Sequence, residues 1–552
     1  WKASRQSGLA RAIVITGLDK ENTDFSKALS DIQSALGDEC VPVTIPLPDC
    51  SGVIDVLGGG DAPEAVREQV QEAKNGLTER AAETDDSLIE KFLGGEELTP
   101  DEVAGGLKKA VNNGGLIPVF VCLPLKEIGI EEFVEGARRL FPSPADVELE
   151  DAAGNKVEAD PAAPLLGQVW RSVNDPFVGQ LSFVKVFAGT LKSDTEVMNA
   201  TRHQKEKAGS LLVVNGKSQD QVDSATPGDI VAIPKLKATS FGDTLCAPGN
   251  EREMPAIDLP SPVYFMSVEA KTQADEDKLG TALSRVTEED PTLNFERNKE
   301  TRETVLSGLG DVHIDVAVSR MKRRSNVDVE LATPSVPYHE TVTSQGEGHH
   351  KHKKQSGGRG QYGEVYLKVE PKQPGDEEWF VDAIVGGAIP GGFMPAVQKG
   401  LVEGMKSGSV AGYPVTDVKV TVYDGSYHDV DSSEVAFKIA ASKSFNEAMN
   451  KAKPVLLEPI MTVKIMIPDQ HLGDVNADLN QRRGRILGMS PEEGMQLITA
   501  DVPQAELFKY CAELRSMTAG QGSFEMEFSR YERVPSNVAQ KVIDQARQSE
   551  ES

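Results

Sequence analysis

The sequence has no apolar run approaching the ~20 residues that span a bilayer. Positive charge is also scarce, because 58 lysines and arginines face 86 aspartates and glutamates, a formal net charge of -28. The first lack excludes a membrane helix. The second excludes a broadly basic surface, so any contact with a polyanion must be confined to a local patch. The five cysteines, Cys40, Cys50, Cys122, Cys246 and Cys511, are scattered and form no CxxC pair. That spacing indicates neither a structural zinc site nor a disulfide framework, and it fits a reducing, cytoplasmic compartment. Residues 1–11 are polar and do not resemble a signal peptide. No GxxxxGK[ST] phosphate loop occurs. The segment Gly216-Lys217-Ser218 is a near miss, since Leu211 stands where the first glycine should be.

What is present is ordinary globular material. The chain is 552 residues long and 39% hydrophobic, enough for roughly four or five domains. Residues 11–16 (RAIVIT) and 117–122 read as buried strands and 41–48 as a further strand, while 25–36 reads as a helix with one apolar face and 130–140 as a second helix. This alternation predicts an α/β domain with a parallel sheet, ending near residues 142–144. Residues 63–109 are largely helical and acidic, with breaks expected at 94–95 and 99–100. A polar linker over 148–164 leads into 166–248, where short alternating strands and turn residues predict a small closed barrel. Residues 262–333 and 460–533 each follow a β-α-β-β-α-β order, the ferredoxin-like unit. They flank a further segment at about 336–456. Residues 537–552 form an amphipathic or frayed tail.

The flanked segment carries the densest chemistry. Residues 347–363 (EGHHKHKKQSGGRGQYG) gather His349, His350, Lys351, His352, Lys353, Lys354 and Arg359 beside a run of glycines. Basic residues attract a phosphate backbone, and glycines let it approach closely. A solvated hairpin loop remains the plain alternative. The spacing Gly358-x-Gly360-x-x-Gly363-x-Val365 also fits a kinase-type loop, but residues 364–369 alternate as a strand and the other kinase motifs are missing. A second loop, 423–429, precedes a helix for which Asp431 is the expected N-cap and Glu434 its capping-box partner. A loop at a helix N-terminus presents N–H groups to phosphate. Tyr427 and His428 add a stacking face and a hydrogen-bonding ring, which suit RNA.

These residues carry a family resemblance. QSGGRGQYG, GGAIPGGFMPAVQKG, YDGSYHDVDSSEVAFKIA, LNQRRGRILGM and LRSMTAGQGSF resemble the last two domains of bacterial translation elongation factor G. DPFVGQLSFVKVFAGTL and GDIVAIPKLKATSFGDTLCAP resemble its β-barrel domain, and VTEEDPTL with LSGLGDVHIDV its third domain. The resemblance implies a multidomain α/β and α+β protein. A partial P-loop-type GTPase domain would occupy 1–147, with a helical insert at about 51–113. The β-barrel domain II would follow at 148–257, ferredoxin-like domain III at 258–335, α+β domain IV at 336–456, ferredoxin-like domain V at 457–536 and the tail at 537–552.

It further implies a monomer that binds the ribosome and promotes tRNA–mRNA translocation, with rRNA, tRNA and mRNA as partners at the decoding site. The tip of domain IV would make that contact through Ser356, Gly357, Gly358, Arg359, Gly360 and Gln361 on one loop and Ser426, Tyr427, His428 and Asp429 on the other. Lys351, Lys353 and Lys354 would supply basic RNA contacts. The acidic insert matches the family's accessory subdomain, which meets the ribosomal stalk.

The family hydrolyses GTP with Mg, and here the sequence departs from it. Trp1 aligns inside the GTPase domain, and the phosphate loop and DxxGH-type switch are missing from the chain. The guanine-recognition NKxD stands as Thr16-Gly17-Leu18-Asp19, and the later SAL motif as Leu123-Pro124-Leu125. Asp19 keeps a carboxylate for the guanine edge. Pro124 has no N–H to donate to the guanine oxygen. Three readings follow: a translocation factor with a degenerate nucleotide site, a GTP-dependent factor seen in part, and a ribosome-protection or rescue factor on the same scaffold.

Overall fold

A computed structural model describes every residue except 59–61, 176–177, 355–359, 373–377, 493 and 552. The chain divides into two compact units, Trp1–Ile257 and Asp258–Ser552. Among the described residues no helix is long and apolar enough to cross a membrane.

The first unit opens on a three-stranded parallel sheet in which Ile117–Val121 lies between Ile13–Ile15 and Cys40–Pro42. Helices Phe25–Leu36 and Ile130–Leu140 form where the spacing predicts. The strand expected over 41–48 is instead two short strands. After Cys40–Pro42 the chain leaves the parallel sheet, and Thr44–Pro46 pairs antiparallel with Val53–Asp55. The acidic insert breaks once more than expected, between helices Arg67–Ala82 and Asp86–Leu93. Asp85 caps the second of these through the Ser87 amide, a local bond that competes with continuing the helix. Thr99 and Glu102 close a capping box on helix Pro100–Asn113.

The segment 148–164 is not a bare linker. Asp151, 5% exposed, accepts the amides of Ala153 and Asn155 and the Nε of Arg252, so it fastens a short hairpin. Residues 166–246 then form an eight-stranded antiparallel sheet around Val169, Val184, Val231 and Ile233.

Among the described residues, the second unit holds three sheets. The first has the order Asn294–Arg297, Thr304–Gly308, Tyr264–Ala270, Val329–Ala332, with helices Gln273–Glu289 and Asp311–Ser325 packed against it. The last is built on the 15-residue strand Pro454–Pro468, which pairs with His339–Val342, Met495–Pro503 and Ser523–Arg533. The boundary expected at 456/457 therefore falls within one strand. The tail is a helix, Ser536–Glu551, anchored by Val538, Ala539, Val542 and Ile543 on Leu456.

Between these lies the sheet that carries the basic segment. Its order is Gly346–Lys354, Gln361–Pro371, Val418–Ser426, Phe380–Asp382. Helices Met394–Met405 and Glu434–Lys451 cover one face with Val397, Leu401, Phe437 and Phe445. Close packing explains two glycines. A Cβ at Gly348 would strike the Ser444 carbonyl, and one at Gly363 would sit 3.0 Å from the backbone of Phe437. The helix reciprocates with Ala440, Ala441, Ser444 and Ala448, all buried.

Candidate nucleic-acid interface

Up to Lys354 the basic segment is a strand and not a loop. Gly346–Lys354 pairs residue for residue with Gln361–Pro371, ending with Lys354 opposite Gln361. Alternation then sorts the basic residues by face. His350 is partly buried. Its burial, then the charge of Lys443, hold its imidazole below the usual value. On the open face, His349 stacks on Tyr366 with ring centroids 3.9 Å apart. Lys351 lies 5.2 Å from the Tyr362 ring centroid and 3.3 Å from Glu364. Lys351 is thus paired within the protein although its side chain stays about half exposed, and Lys353 and Lys354 are exposed at the strand's end. Ser356, Gly357, Gly358 and Arg359 lie outside the described residues.

The two expected loops converge because the strands bearing them are neighbours. Glu364 pairs with Ser426, the last residue of its strand, so 360–362 and 427–431 emerge at one end of the sheet. The expected N-cap is displaced by two residues. Ser433 caps helix Glu434–Lys451 by accepting the Ala436 amide. Asp431 is left free for another task, since its carboxylate accepts the Gly360 amide at 3.1 Å and its carbonyl the Tyr362 amide at 2.9 Å. A Cβ at Gly360 would stand 2.9 Å from that carboxyl carbon. Gly360 and Gly363 are therefore bare toward their own protein.

His428 is held from below. Its amide donates to Ser432 Oγ at 2.8 Å, and its Nδ1 accepts the amides of Val430 and Asp431 at 3.3 and 3.2 Å. Accepting at Nδ1 leaves Nε2 as the N–H of the neutral ring. The ring is half exposed, as is Tyr427. Asp429 is exposed in the same loop. Gln361 is anchored by its amide oxygen, 3.1 Å from His352 Nε2, which leaves the NH2 group as a donor. The arrangement offers two N–H donors, an aromatic face and two flanking ammonium groups at one end of a rigid sheet.

Thr16, Asp19, Leu123 and Pro124 belong to the first unit. Strands Ile13–Ile15 and Ile117–Val121 run parallel, so their following loops leave from the same edge, the side on which open α/β sheets bind ligands. Asp19 meets Lys126 there at 3.6 Å. Pro124 opens a short 3-10 helix, Pro124–Lys126, and Leu125 is fully exposed. Thr16 is exposed at the strand end.

Comparison with known proteins decides the family. Residues 164–248 match the family model for elongation factor G domain 2, and 259–333 that for elongation factor G domain III. Residues 334–453 match elongation factor G domain IV, and 455–542 the elongation factor G C-terminus. The chain is also similar to the crystal structure of a protein from Thermus thermophilus, at 37% identity and a TM-score of 0.81, over 99% of this chain and 83% of that one. This chain belongs to the elongation factor G family. It is an elongation factor G-like translation factor, and the family acts on the ribosome.

Sequence reasoning missed three residues that shape this end of the sheet. Asp431 looked like a cap, because Asp and Ser cap equally well and only the helix register separates them. Ser432 gave no signal. Glu364 did give one: it alternates onto the same face as Tyr362 and Tyr366, opposite a strand rich in histidine and lysine.

Proposed function

We propose that this protein promotes tRNA–mRNA translocation through the end of its domain IV, with Gly360, Gln361, Tyr427, His428 and Asp429 at the decoding site. The same reading gives Ser356–Arg359 and Ser426 to the tip and Lys353 and Lys354 to the flanking phosphates. One observation carries it: His428 and Gln361 stand on two loops joined by Asp431, each with its inward atom already bonded. An imidazole and an amide fixed in this way present donors without further ordering cost, and preorganised donors are what an RNA contact rewards.

GTP or GDP, with Mg, is the family's cofactor, and the described residues fit the guanine poorly. The Asp19 carboxylate already faces Lys126. Pro124 cannot donate where a backbone amide is needed. Each missing donor to a buried acceptor costs about 1–3 kcal/mol. We therefore assign a weakened guanine site to this factor, and no step of its action is derived through the nucleotide.

The test is a translocation assay with the complete gene product on pre-translocation ribosomes, comparing GTP, a non-hydrolysable analogue and no nucleotide. Movement without nucleotide supports the degenerate site. Movement only with hydrolysable GTP returns the factor to the GTP-dependent reading. No movement in any condition, with release of a bound ligand or stalled tRNA instead, would favour the protection or rescue reading.

A further inference from the structure

The open face of the domain IV sheet carries a buried carboxylate that the proposed RNA contacts do not use. Glu364 is only 8% exposed. Its Oε1 lies 2.9 Å from His349 Nε2. Its Oε2 takes Tyr362 OH at 3.2 Å, Lys351 Nζ at 3.3 Å and the Ser426 hydroxyl. Tyr362 OH and Ser426 Oγ are themselves 2.7 Å apart. These partners come from three strands, and each strand runs directly into the tip. The strand of His349 and Lys351 ends at Lys354, Tyr362 follows Gly360 and Gln361, and Ser426 precedes Tyr427 and His428.

We propose that Glu364 is a positioning residue of the tip, which together with the Asp431 bond to Gly360 fixes the spacing between the Gly360–Gln361 arm and the Tyr427–Asp431 loop. This rests on the translocation reading given above. The chemistry explains why a carboxylate is needed. Lys351 can only donate, and a carboxylate can accept from all the surrounding donors at once. A glutamine would turn one end of the acceptor into a donor facing donors. Hydrogen bonds to an ionised group are about twice as strong as neutral ones. Burial alone would raise the Glu364 pKa, but bonds from Ser426, His349 and Lys351 overcome it and hold the value at about 2, so the group is charged wherever translation runs. The link onward is geometric: the Tyr362 ring lies 6.1 Å from the His428 ring, and the Tyr362 amide holds the Asp431 carbonyl.

The test uses the complete protein with Glu364→Gln, Glu364→Asp and Ser426→Ala. Amide hydrogen exchange is read over residues 360–363 and 427–432, alongside single-turnover translocation and ribosome affinity. In Glu364→Gln, exchange should quicken about tenfold in both segments, as expected from losing charge-assisted bonds. The translocation rate should fall about tenfold with affinity held within about twofold, because the loss is in geometry and not in contacts. Glu364→Asp should lie between. Ser426→Ala, which removes the bonds to Glu364 and Tyr362 but no charge, should shift both segments in the same direction even if the Glu364 variants unfold. Faster exchange confined to residues 349–351 and 362–366, with 427–432 unchanged, would overturn the proposal and reduce Glu364 to a local stabiliser. Wild-type protein that moves no tRNA would overturn the translocation reading, while exchange would still decide the role of Glu364.

Discussion

The carboxylate of Asp431 lies 3.1 Å from the amide nitrogen of Gly360 and so joins two loops 71 residues apart in sequence. The bond has no room for a side chain on the glycine. The two loops of the candidate interface are therefore one structure.

Gly360→Ala should displace Asp431. The new Cβ would stand 2.9 Å from its carboxyl carbon, closer than carbon atoms pack. Gly360 lies at the sheet's end, away from the core, so thermal stability should change little. Translocation should slow about tenfold as both loops shift. Differential scanning calorimetry and a single-turnover translocation assay separate the two effects.

Gly348→Ala should act oppositely. Its Cβ would drive the strand Gly346–Lys354 off helix Glu434–Lys451 at Ser444. Overpacking of this kind costs about 1–3 kcal/mol or more. A lowered urea midpoint at unchanged slope checks it.

Glu364 should make stability depend on acid. Its pKa is depressed on folding, from the usual 4.5 to about 2. Its contribution is therefore complete above about pH 4.5 and is lost as pH falls toward 2. Wild-type protein should lose its margin over Glu364→Gln across that window. Paired denaturant titrations at pH 6, 4.5, 3.5 and 2.5 measure the difference.

Arg483→Ala should be the costliest of these changes. Arg483 grips Glu458 at 2.6 and 3.0 Å, and the Glu458 side chain is only 3% exposed. Removing the arginine strands a buried charge, which costs about 3–5 kcal/mol. Replacing both residues with apolar ones of similar size should cost much less, and a double-mutant cycle reads that coupling.

Much of the architecture was legible in the sequence. Helix Phe25–Leu36 falls on the residues that its apolar spacing marks, and the strand Gln361–Pro371 follows the alternation of 364–369. Such elements are set by nearest-neighbour periodicity, which a sequence displays directly. The extra helix break at Asp85 was not legible, because it turns on one side chain choosing a backbone amide over solvent.

The candidate interface divides in the same way. The sequence by itself determined which residue types gather there: the glycines, the lysines, Gln361 and His428, and the family motifs that contain them. Only the tertiary structure decided what each does. It paired Lys351 with Glu364, which strand register places opposite it, while all three lysines stay exposed. It moved the cap from Asp431 to Ser433 and gave Asp431 to Gly360, because that bond joins two loops that meet only once their strands pair in the folded sheet. Periodicity along a chain is local and can be read, whereas hydrogen bonds between distant segments exist only once the register between strands is set.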